Sequence, residues 1–145
     1  MSKGSEKVEN FIKVLREWQG LERDAMNTTA SIMEDSKSPL IRMIMEIIRH
    51  DSLMHHRVQQ FLIDSVTTQN VTVTREDVAE IWERIEAHDE VERKTIELAK
   101  GLHAEAWSPV HKQLLNYLLT DESKHDSLLV QLEDVKKGMS GASGA

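Results

Sequence analysis

Cysteine is absent from the 145-residue chain, and that absence removes disulfides, thiolate zinc sites and cysteine nucleophiles together. Proline occurs twice, and each occurrence punctuates the chain between periodic stretches. A single tyrosine, Tyr117, leaves one phenol for redox chemistry, and a lone tyrosine is more often a packing residue. Basic runs are also missing. With a net charge of −7 the chain has no patch able to release phosphate counterions, which argues against nucleic acid as a partner. No apolar run approaches the ~20 residues of a membrane span, and no stretch resembles a signal peptide. A cytoplasmic location, away from membranes, is the expectation.

The length suits one domain, and 39% hydrophobic with 30% charged residues suits a helical protein with solvated outer faces. Apolar residues recur at helical spacing in four runs. The first passes through Val8, Phe11, Leu15, Trp18, Glu22, Met26 and Thr29, and the second through Leu40, Ile44, Ile47, Asp51, His55, Val58 and Leu62. The third takes in Val78, Ile81, Ile85, His88, Glu92, Ile96 and Ala99, and the fourth Leu114, Leu118, Asp121, His125, Leu128, Leu132 and Val135. Ser38-Pro39 and Ser108-Pro109 each read as a serine N-cap followed by proline at the first helical position. Thr74, with Asp77 three residues on, caps the third helix. These signals set four helices at about 5–35, 39–66, 75–104 and 109–137 within one bundle domain over 1–137. Ser65 to Thr74 is rich in threonine and valine and reads as extended. The Gly/Ser/Ala-rich stretch 138–145 reads as a flexible tail.

The chain also repeats itself. Displaced by 70 residues without a gap, Glu22-Arg23 falls on Glu92-Arg93, Ser38-Pro39 on Ser108-Pro109, Asp51 on Asp121, and His55 on His125. Only 10 of the 63 pairs from Ser5 to Thr67 are identical, so what persuades is which pairs survive. They include ligand-type residues that share a seam with apolar neighbours. Two hairpins related this way predict an all-α four-helix bundle with pseudo-twofold symmetry.

A buried carboxylate without a partner costs several kcal/mol, so bundle cores normally exclude Asp and Glu. Here Glu22, Asp51, Glu92 and Asp121 interrupt apolar seams near mid-helix, with His55 and His125 at a similar height. Acidic groups and imidazoles converging at one level call for a cation. Two plainer readings compete: the glutamates pair with Arg23 and Arg93, or Glu122 and His125 form an ordinary surface pair. Asp51 and Asp121 serve equally well as supports that orient the histidines. His50, His56, His103 and His111 read as solvent-facing or interface residues, and the methionines as core fillers.

The residues resemble the ferritin-like and rubrerythrin-like di-iron carboxylate proteins, which carry a Glu on two helices and a Glu-x-x-His on the other two. Glu122-Ser-Lys-His125 matches one Glu-x-x-His, Leu21-Glu22-Arg-Asp-Ala25 looks like the first-helix Glu segment, and Glu92 fits the third helix. The departure lies in the first hairpin, where the second Glu-x-x-His reads Ser52-Leu-Met-His55. The resemblance implies a metal site of Glu22, His55, Glu92, Glu122 and His125, with Asp51, His88 and Asp121 as further ligands or supports. Because the missing glutamate breaks the symmetry, an asymmetric site or a single metal is expected. Iron is the expected metal, with two ions favoured, and manganese or zinc also suits the donors.

The family implies peroxide reduction, ferroxidase activity or oxygen-dependent oxidation. Redox turnover would require an external electron donor, since the chain has no cysteine-ligated iron. The resemblance favours a ferritin-like crossover between the second and third helices over a simple up-down-up-down arrangement. Ten extended residues reach at most about 33–36 Å, close to a bundle length of about 35 Å. Hemerythrin-like bundles draw histidines from all four helices, and the first run here has none. The stronger alternative is a metal-free bundle acting as a dimerisation or partner-binding module, which makes a homodimer one of the expected partners.

Overall fold

A computed structural model describes residues 3–69 and 71–143, with side chains described as far as 138. The described residues contain four α-helices and no strand: α1 Lys3–Asp35, α2 Pro39–Ser65, α3 Arg75–Glu105 and α4 Pro109–Ser143. The all-α class and the four helices expected from the sequence are found. They fall into two compact units, one ending at Val71 and the other beginning at Thr72. In each unit two long helices pack as a hairpin about a three-residue turn.

The capping signals act as their chemistry requires. Ser38 accepts a hydrogen bond from the Ile41 amide, with Pro39 opening α2. Thr74 and Asp77 form a reciprocal capping box, each side chain taking the other residue's backbone N–H, which satisfies two otherwise orphaned donors. Ser108 receives the His111 amide at the start of α4. Within the stretch expected to be extended, Val66, Thr67 and Thr68 instead form a turn whose amides bond to the Ile63 and Asp64 carbonyls. Residues 71–74 carry no regular structure, and residue 70 lies outside the described residues. α4 continues to Ser143 rather than ending at Lys137. Residues 138–143 of the expected tail are therefore helical, and 144 and 145 lie outside the described residues. No proline interrupts this segment, although Gly138 and Gly141 are weak helix formers.

The stripe that closes the first hairpin runs one residue along α2 from the seam expected there. Ser52, Gln59 and Ile63 are buried, whereas Ile44, Val58 and Leu62 stay exposed. On α1 the buried positions are Leu15, Gln19, Glu22 and Thr29, a three- and four-residue alternation typical of paired helices. The apolar arc on each helix is wider than one seam, so periodicity alone could not fix which residues face the hairpin partner. Gln19, at 1% exposure, is tied by hydrogen bonds with Arg16, the Gln60 side chain and the His56 carbonyl. In the second hairpin Val78, Glu92 and Ala99 are buried on α3, facing half-buried Glu122, Asp126 and Leu129 on α4. Buried polar residues outnumber buried apolar ones, so these hairpin interiors select partners by hydrogen bonding and charge as well as by area. Among the described residues no helix is long and apolar enough to cross a membrane.

Candidate metal centre

The second hairpin gathers the strongest donor set. Glu92 comes from the middle of α3, and Glu122 and His125 from adjacent turns of α4. One donor atom from each of these three lies within 4.8 Å of the others. Glu92 Oε1 stands 3.5 Å from His125 Nδ1, which is itself 3.8 Å from Glu122 Oε2. His88, one turn before Glu92, places Nε2 2.8 Å from the same Oε1. Thr95 donates to Glu122 Oε2 at 3.1 Å and to the Glu92 carbonyl at 2.7 Å. Asp121 lies on the other side of the imidazole, with Oδ2 3.5 Å from His125 Nε2, and it also pairs with Lys124.

Glu92 has only 6% of its surface exposed, and its Oε2 is buried without a hydrogen-bond donor. The pairing with Arg93 that would have made it an ordinary interior-edge glutamate does not occur. Arg93 binds Asp89 at 2.8 Å instead, and in the first hairpin Arg23 meets the His56 ring at 3.3 Å. A buried carboxyl beside a half-buried one favours sharing either a proton or a cation. A hydrogen bond between Glu92 and Glu122 holds Glu92 below the ordinary carboxyl value. The same bond, together with burial, pushes Glu122 above it.

A second acid pair was not anticipated from the sequence. Asp89 and Asp126 each bury an oxygen that lacks a donor, and their shared hydrogen bond raises the Asp89 carboxyl. Asp89 lies three residues before Glu92 and Asp126 four after Glu122, so the signal was present as helical spacing. Asp89 and Asp126 each lie one residue beyond the apolar run through His88 and His125, so periodicity alone did not mark them.

The first hairpin builds a different pocket at the equivalent positions. Glu22 Oε1 lies 3.4 Å from His55 Nδ1 and accepts the Gln59 amide at 3.4 Å. Ser52 is buried where Glu122 stands in the second repeat. Asp51, expected as a further ligand or support, is half-buried, and its side chain forms no hydrogen bond or ion pair among the described residues. The geometric reason is the one-residue offset of the seam, which turns Ser52 rather than Asp51 inward. Of the four histidines read as solvent-facing or interface residues, His50 and His111 are exposed, His56 is half-buried against Arg23, and His103 is half-buried near the end of α3.

Comparison with protein-family models, with curated proteins and with solved structures finds no match to this chain.

Proposed function

We propose that the protein binds a divalent transition metal through Glu92, Glu122 and His125. The observation that carries this reading is the convergence of donor atoms from Glu92, Glu122 and His125 within 4.8 Å of one another on a buried carboxylate whose second oxygen, Oε2, lacks a donor. An oxygen-rich set with histidine suits iron first, and manganese or zinc also fits. Iron bound there supplies redox chemistry with dioxygen or peroxide, which is the ferritin-like role implied by the sequence resemblance. The chain's own residues would do the rest. Glu92 and Glu122 give up their shared proton to become a dianionic clamp, Thr95 holds the Glu122 oxygen, and Asp121 orients His125 through its other nitrogen. An external donor would supply electrons for turnover.

Glu22 and His55 of the first hairpin belong to the same reading as a weaker pair of donors, since the Gln59 amide already serves Glu22. Thermal melting tests the proposal. Excess Fe²⁺, Mn²⁺ or Zn²⁺ at ~100 times Kd stabilises the native state by about 2.7 kcal/mol, and a chelator reverses the gain. An unchanged melting temperature with all three metals refutes it.

A further inference from the structure

Three donors leave a transition-metal ion short of its usual four or more. We propose that His88 is a fourth ligand, giving the second hairpin a set of two imidazoles and two carboxylates. The inference rests on the metal-binding reading of Glu92, Glu122 and His125.

His88 shares a helix face with Glu92, since residues four apart on α3 lie one above the other. Its Nε2 is 2.8 Å from Glu92 Oε1, the oxygen that also lies 3.5 Å from His125 Nδ1. Two donors bound to one tetrahedral ion at ~2.1 Å stand about 3.4 Å apart. The Glu92–His125 separation already has that value. The His88–Glu92 contact has to open by about 0.6 Å to admit the ion, and the His88 ring, which stands outside the group of Glu92, Glu122 and His125, has to swing toward those donors; its side chain, 59% exposed, has room to do so.

The comparison between repeats strengthens the assignment. Where the second hairpin has His88 and Glu122, the first has Trp18 and Ser52. Both donors that lie outside the shared Glu and His pair therefore occur in the same hairpin. The first hairpin instead supplies Gln59, a neutral amide whose N–H donates to Glu22, which leaves that carboxylate the weaker donor.

His88 could alternatively act as a positioning residue that orients Glu92 through its hydrogen bond, so the test must read the ring nitrogen itself. Zn²⁺ is titrated into the full chain labelled with ¹⁵N-histidine, and long-range ¹H–¹⁵N spectra follow each imidazole. At one equivalent, His88 Nε2 and His125 Nδ1 both move to metal-bound shifts, and His88→Gln weakens Zn²⁺ binding about tenfold or more. If His125 shifts while His88 keeps its metal-free position, His88 is not a ligand, whatever the variant does to affinity. If His88 shifts but His88→Gln binds Zn²⁺ as tightly as the native chain, the proposal is also overturned. If no ring shifts and no Zn²⁺ is retained, the underlying metal-binding reading fails and takes this inference with it.

Discussion

Glu92 and Thr95 lie three residues apart on α3, and the Thr95 hydroxyl reaches across the hairpin to Glu122 Oε2 at 3.1 Å. The hydroxyl thereby sets where the second carboxyl of the pair sits. Thr95→Val keeps the shape and removes the donor, so metal affinity should fall about 10- to 100-fold, as for other groups that orient a ligand. Isothermal titration with Zn²⁺ measures this. Unaltered affinity would show that Glu122 is positioned by its other neighbours.

The acid pairs set the pH dependence of the metal-free protein. Glu122 titrates above its ordinary value of 4.5 and Asp89 above 3.8. The native state therefore binds these protons more tightly than the unfolded chain. Their contribution is complete below those ordinary values and is lost as pH rises through the raised native ones. Glu92, held low, works in the opposite sense, and its contribution disappears as pH falls below 4.5 through its native value. Chemical denaturation of the metal-free chain should show stability declining from mildly acidic pH upward. Saturating metal should flatten that decline, because a bound cation replaces the proton on Glu122. A decline unaffected by metal would place the responsible protons elsewhere.

Much of the architecture was legible in the sequence because it rests on local chemistry. Ser38-Pro39, Ser108-Pro109 and Thr74 with Asp77 start helices for reasons contained within four residues, and the 70-residue repeat fixes the hairpins. Glu92, Glu122 and His125 were legible for a related reason, since ligand-type residues at helical spacing stand out against apolar neighbours. The facing of the helices was not. On α2 either of two adjacent stripes could have closed the hairpin, and the choice fell to Ser52, Gln59 and Ile63. That choice depends on tertiary partners such as the Gln59–Glu22 and Gln19–His56 hydrogen bonds. The same ambiguity hid Asp89 and Asp126 and made Asp51 look like a ligand.

Ser52→Glu tests the difference between the hairpins. Ser52 is 6% exposed, so a carboxylate there enters the hairpin interior beside the Glu22 and His55 donors. Without metal the variant should lose a few kcal/mol, about 2–4, through an uncompensated buried charge. With metal it should recover much of that loss and take up an additional ion. Urea denaturation with chelator and with Zn²⁺ gives both quantities. Equal destabilisation in the two conditions would show that the first hairpin has no capacity for a cation.

Gln59→Leu copies the residue found 70 positions later, Leu129. It removes the amide that donates to Glu22 and should destabilise the metal-free protein by about 1–3 kcal/mol, while leaving the metal affinity of the second hairpin unchanged. A parallel loss of that affinity would show that Gln59 does more than serve Glu22.

Elemental analysis after equilibrium dialysis against anaerobic Fe²⁺ reads out whether Glu92, Glu122 and His125 hold a metal. The native chain should retain one equivalent in the second hairpin. Glu122→Gln, which still offers Glu92 a hydrogen-bond donor in place of the acid proton, should stay folded and retain almost none. Iron at the buffer level in the native chain, or equal iron in both proteins, would contradict the account.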